Sequence, residues 1–178
     1  EKMARIPVET DVASEYRYRS PIITKDTLVI VVSQSGETAD TLAALREAKR
    51  CGAHVLAITN VVGSSVAREA NDIITTWAGP EIAVASTKAY TSQLIGFYLL
   101  GLHLAQTLGT QTPEEITEVI AAMKELPAQV SEILEQAEAL KVVADEMAKH
   151  DNLFFIGRGL DYAVALEGSL KLKEISYI

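Results

Sequence analysis

The sequence predicts an α/β fold, a three-layer α/β/α sandwich around a central, mainly parallel sheet. Three observations carry that expectation. The runs Leu28-Val29-Ile30-Val31-Val32 and Val55-Leu56-Ala57-Ile58 are apolar throughout, so both faces of each strand must be covered. Each run is followed by turn residues and then by helical spacing, the rhythm of βαβ units with right-handed crossovers. The chain has 178 residues, 48% of them hydrophobic, enough for a packed core and too many for a disordered chain.

The elements follow in order. Strand 28–32 ends in Ser33-Gln34-Ser35-Gly36, and a helix runs from Thr38 to Arg50 with Leu42, Leu45 and Ala48 on one face. Gly52 stops it. A second buried strand spans His54 to Thr59 and ends at Asn60. Gly63-Ser64-Ser65 precedes a short helix through Arg68, where the serines read as a helix cap. Ile73 to Trp77 reads as a third strand. Thr87 to Leu108 reads as one long buried helix. Thr112 is an N-cap, with Pro113 at the first helical position and Glu114 and Glu115 in the first turn. That helix is expected to reach about Lys124, with Pro127 starting another that runs to about His150. Leu134, Ala137, Leu140, Ala144 and Met147 recur in it at helical spacing.

After that the pattern resets. Asp151-Asn152 is a turn, Leu153-Phe154-Phe155-Ile156 a strand, Gly157-Arg158-Gly159 a tight loop, and a helix runs from Asp161 to the end. The expected organisation is a first unit over 1–150 that lacks its first strand, and the start of a second such unit over 151–178. Strand 153–156 is expected to pair with the sheet of strand 28–32 and close the domain. The chain reads as a fragment cut at both ends.

Composition narrows the function. The formal net charge is −8, which argues against general attraction to nucleic acid or to an anionic membrane. An anionic ligand must then be held by local hydroxyl and backbone donors. Cys51 is the single cysteine, so no internal disulfide and no zinc-type spacing exists, and it reads as a structural residue. The opening residues do not read as a signal peptide. The apolar stretch from Leu94 to Leu108 is shorter than the roughly 20 residues of a membrane span. A cytoplasmic protein is expected.

The turn after the first strand carries the chemistry. It lies at the carboxyl end of a parallel sheet, where α/β ligands bind. Ser33, Ser35 and Thr38 offer hydroxyls and Gln34 an amide. Gly36 permits close backbone approach, and the next helix points its N–H groups and positive dipole end at the site. No lysine lies in the loop, so it is not a nucleotide P-loop, and the dinucleotide glycine pattern is missing. A monophosphate fits. The competing reading is that these residues only cap a helix.

Ser33-Gln-Ser-Gly-Glu-Thr38, followed by Asp40-Thr41-Leu42, resembles the sugar isomerase (SIS) domain, which implies a flavodoxin-like topology. Ala13-Ser14-Glu15-Tyr-Arg-Tyr-Arg19, Val84-Ala-Ser-Thr-Lys-Ala89 and Ala165-Leu-Glu-Gly-Ser-Leu-Lys-Leu-Lys-Glu-Ile-Ser-Tyr-Ile178 resemble the isomerase half of the glutamine–fructose-6-phosphate aminotransferases. That resemblance covers nearly the whole chain. It implies conversion of fructose 6-phosphate and ammonia to glucosamine 6-phosphate, without metal or organic cofactor. It also implies a homodimer and a separate glutaminase domain in the full-length parent. Ser33, Gln34, Ser35 and Thr38 would hold the phosphate of a hexose 6-phosphate. Val84, Ala85 and Ser86 would line the sugar, Val84 partly through its backbone. Glu174 would move a proton between C1 and C2, with Lys171 assisting and Glu167 beside it.

The residues themselves allow that chemistry. Glu167, Lys171 and Glu174 stand at i, i+4 and i+7 on one helical face, and a carboxylate is a suitable base next to a carbonyl or imine. A solvated salt-bridge face is the alternative. The resemblance also implies a Cys-Gly-Thr-Ser segment, a ring-opening histidine and a Schiff-base lysine that these residues lack; His54, His103 and His150 do not match that histidine. The chain alone is therefore expected to bind and not to catalyse. Alternatives are a non-catalytic sugar-phosphate sensor, a fructosamine-phosphate deglycase and an interaction domain.

Overall fold

The computed structural model describes residues 1–177. The chain divides into two compact units, Glu1–Thr117 and Glu118–Ile178.

In the first unit, three parallel strands stand in the order β1, β2, β3: Leu28–Ser33, His54–Thr59 and Asp72–Thr75. All three were legible as short apolar runs, because strands covered on both faces need no alternation. The third is shorter than expected, since Trp77 takes a left-handed φ of 54° and cannot continue the ladder. Helix α1 (Ala13–Tyr16) is a single turn ahead of the sheet. Helix α2 (Ala39–Arg50) crosses from β1 to β2, α3 (Ser65–Glu69) from β2 to β3, and α4 (Lys88–Leu108) follows the sheet.

Strand alternation sorts the two faces. On one, Val31, Val55 and Ala57 pack with Leu45 and Ala48 of α2 and Val66 of α3, flanked by Tyr16, Val29 and Leu42. On the other, the backbone of α4 at Gly96 approaches Ile58 and Ile74, within 3.5 and 3.7 Å of where a Cβ would stand. The expected α/β/α layering is therefore present. Leu45 is fully enclosed, with 0% of its surface exposed. Leu45→Ala should destabilise the unit by about 2–5 kcal/mol, from lost transfer energy plus a cavity, as read by urea unfolding.

Parallel register aligns Ser33 with Thr59 and Thr59 with Thr75. The last residues of all three strands thus form one carboxyl edge, from which the three following loops emerge.

Beyond the sheet, Gly109 closes α4 in the left-handed conformation. Thr112 and Glu115 form a reciprocal capping box: Glu115 N–H donates to Thr112 Oγ1 at 3.2 Å and Thr112 N–H donates to Glu115 Oε2 at 2.7 Å. The expected break at Pro127 does not occur. Helix α5 runs unbroken from Pro113 to Glu135. A proline removes one backbone donor, and on an exposed stretch water can take the orphaned carbonyl, so a long helix tolerates it. The break comes at Gln136, before α6 (Ala137–Met147), and α7 spans Leu160–Ser176.

Residues 153–156 are not a strand. The described sheet ends with β3, and Phe154 and Ile156 are each 91% exposed. An extended segment becomes a strand only when a neighbouring edge supplies its ladder bonds. Here Phe155 instead lies against α7 at Gly168, whose added Cβ would come within 3.1 Å of the ring. The strand expected at 153–156 is therefore not formed. No helix among the described residues is long and apolar enough to cross a membrane.

Candidate functional site

The turn 33–38 is built from its own hydroxyls. Ser33 is buried at the end of β1, and its Oγ accepts the Gly36 N–H at 3.0 Å and lies 2.8 Å from Thr38 Oγ1. Ser35 Oγ accepts the Glu37 N–H at 3.2 Å. Thr38 occupies the N-cap of α2 yet makes no side-chain capping bond. The N–H groups of Ala39, Asp40 and Thr41 have no intrahelical acceptor by helix geometry, and the dipole's positive end favours negative charge there.

The loop after β2 braces the turn. The Gln34 carbonyl accepts the Asn60 N–H at 3.1 Å, and the Gly36 carbonyl accepts the Val66 N–H at 2.9 Å. Glu37 Oε1 accepts the Ser65 N–H at 2.8 Å. Ser65, through its side chain first and then its backbone N–H, holds the Glu37 carboxyl below the usual carboxylate range. Gly36 sits at φ +65°, and a Cβ there would stand 2.0 Å from Ser64 Oγ. Ser64 itself is the cap of α3, its Oγ accepting the Ala67 N–H, as the sequence indicated.

A cleft of about 430 Å³ opens beside Gln34, lined also by Asn60, Trp77, Gly79 and Glu81. Asn60 fixes its far wall. Its Oδ1 accepts the Ala78 N–H at 2.8 Å and the Thr76 hydroxyl at 3.0 Å, and its Nδ2 donates to the Gly79 carbonyl at 2.7 Å. Val84, Ala85 and Ser86 follow in an exposed turn closed by Ser86 N–H donating to the Ala83 carbonyl at 3.0 Å. Val84 is 97% exposed.

In the second unit, α7 brings Glu167, Lys171 and Glu174 together as the helical spacing predicts. Lys171 Nζ donates to Glu174 Oε2 at 2.9 Å and lies 3.4 Å from Glu167 Oε1. The hydrogen bond Lys171 donates to Glu174, followed by the nearby Glu167 charge, outweighs partial burial and raises the Lys171 pKa. The ammonium therefore stays charged at neutral pH. Ile178, the last residue of the motif 165–178, lies outside the described residues.

Sequence reasoning missed Asn60 and Glu81 as organisers of this edge. Asn60 was visible only as an Asx residue ending a strand, and Glu81 as an acid shortly before a helix start. His54, set aside as structural, pairs at 2.5 Å with Asp72 across the starts of β2 and β3, at the opposite edge of the sheet from the turn.

A Ser- and Thr-rich turn at the carboxyl edge of a parallel three-stranded sheet defines the class. Residues 1–103 match the SIS domain, and the chain belongs to that family. More particularly, the chain is 66% identical over all 178 residues to a glutamine–fructose-6-phosphate aminotransferase [isomerizing] of Clostridium acetobutylicum. It is 49% identical over the same length to the enzyme of that name from Methanosarcina acetivorans. It spans 29% of the length of each of these relatives. Among solved structures, it superposes with a TM-score of 0.96 and 39% identity on the C-terminal domain of glucosamine-fructose-6-phosphate aminotransferase from Francisella tularensis, covering 99% of this chain and 50% of that one.

Proposed function

We propose that the chain is a hexose-6-phosphate-binding part of the isomerase region of an enzyme that makes glucosamine 6-phosphate from fructose 6-phosphate and glutamine-derived ammonia. The observation that carries this is the turn 33–38: preformed, braced from behind by 60–66, and followed by a helix whose first N–H groups no side chain caps. Ser33, Gln34, Ser35 and Thr38 hold the phosphate, and the edge loop Val84-Ala85-Ser86 lines the sugar.

The second unit contributes chemistry. Glu174 takes a proton from the carbon beside the carbonyl or imine and returns it to the neighbouring carbon, shifting the double bond between C1 and C2. Lys171, an ammonium at neutral pH, supports charge that develops on oxygen, and Glu167 helps hold it in place. The reading includes a glutaminase domain elsewhere in the full-length protein, a cytoplasmic setting and a homodimer. Exposed Ile133, Leu134, Leu140 and Val142 on α5 and α6 support the last. Sedimentation at several concentrations tests it.

Titration calorimetry with glucose 6-phosphate tests the site. Ser35→Ala should weaken binding about tenfold, the value of a lost hydrogen bond to a charged group. No binding heat with the wild-type chain, or a Ser35→Ala chain that binds as well as wild type, overturns the assignment.

A further inference from the structure

Beyond the Ser86 N–H bond to the Ala83 carbonyl, the loop 83–87 has few means of holding its own shape. Val84 is almost wholly exposed, and Ser86 stands at φ 59°, a conformation unfavourable for any residue with a Cβ. Thr87, the N-cap of α4, makes no side-chain capping bond and has irregular dihedrals. Local propensity therefore does not fix where Val84, Ala85 and Ser86 point.

Glu81 supplies what is missing. Its Oε1 accepts the Ala83 N–H at 3.2 Å, while Oε2 accepts the Thr87 N–H at 3.0 Å and the Ala89 N–H at 3.1 Å. One carboxylate thus ties down both ends of the loop. It also caps, from outside, the N-terminus of a 21-residue helix, where a negative charge is favoured. The same carboxylate lines the cleft that Gln34 of the phosphate turn lines.

We infer that Glu81 is a positioning residue: it holds the backbone of 83–87 in the shape that receives the sugar, and so sets affinity for the hexose independently of the phosphate. The inference rests on the hexose-phosphate reading above. The Glu81 carboxyl titrates below the ordinary glutamate range, chiefly because of the Ala89 N–H, then the Ala83 and Thr87 bonds, with Lys88 the nearby cation. A depressed folded-state pKa contributes stability above the ordinary glutamate value and loses it as pH falls through the lower one. The loop should therefore loosen only under acid conditions.

The test has two arms on the intact chain. In the first, amide resonances are followed by NMR from neutral pH down through the carboxylate range. Those of Ala83, Thr87 and Ala89 should shift together with one midpoint below that of a free glutamate, and the shared midpoint should vanish in Glu81→Gln. In the second, glucose 6-phosphate and inorganic phosphate are titrated into each variant. Glu81→Ala should weaken glucose 6-phosphate about tenfold and leave inorganic phosphate unchanged, and Glu81→Gln, which keeps one acceptor oxygen, should recover part of the loss. Three amides that titrate independently overturn the inference, as does equal weakening of both ligands or unchanged glucose 6-phosphate binding. A wild-type chain that binds inorganic phosphate but no hexose 6-phosphate overturns the functional reading itself, and this inference with it.

Discussion

Gly36→Ala is expected to damage the protein more than any other single methyl group added at the carboxyl edge. Two costs coincide. The backbone at φ +65° is strained for any residue with a Cβ, about 1–2 kcal/mol. The new methyl would also stand 2.0 Å from Ser64 Oγ, 2.5 Å from Ser64 Cβ and 2.9 Å from Thr59 Oγ1, none of them the end of a long flexible chain. Forcing a methylene into a filled space costs about 1–3 kcal/mol more. A total near 2–5 kcal/mol is expected in chemical unfolding, together with loss of phosphate binding, because relief requires the turn to move away from the 60–66 loop. Gly52 offers an internal comparison: it has φ +88° but nothing within 4 Å of its would-be Cβ. Gly52→Ala should show the backbone cost alone. Equal destabilisation by the two variants would show that the clash with Ser64 is not what matters.

Glu174→Gln is expected to separate chemistry from stability. The Lys171–Glu174 pair is partly exposed, with side chains 26% and 38% accessible, so breaking it should cost under about 1 kcal/mol of folding energy. Removing a general base, in contrast, costs about 100- to 10,000-fold in rate. In a complete polypeptide carrying this segment, supplied with fructose 6-phosphate and ammonia, Glu174→Gln should reduce exchange of solvent deuterium into the C1–C2 positions by at least about 100-fold. The melting temperature should stay nearly constant. The Lys171 pKa should fall back toward its ordinary value as its main partner loses its charge. Exchange at the wild-type rate would remove Glu174 from the reaction and return the triad to a solvated salt bridge.

These two sites differ in how far the sequence reveals them. The triad is a matter of helix geometry: once 160–176 is helical, residues four and three apart must meet, and they do. The turn 33–38 was readable as residue types in a strand–turn–helix order. The role of its glycine was readable only in part, because positive φ can be guessed from Ser-Gly, while the clash partner lies 28 positions further on.

What the sequence determined by itself is local: the three strands, the helices α2 and α4, the N-cap at Thr112 and the spacing of the α7 face. Each follows from periodicity and cap chemistry within about a turn or a strand of the residue concerned. Tertiary structure alone decided the rest. Glu81 caps a helix it does not belong to, Asn60 sets the wall of a cleft, and Ser64 fills the space that keeps residue 36 a glycine. Leu153–Ile156, as apolar as β1, forms no strand because ladder bonds need a neighbouring edge, which no single segment can specify.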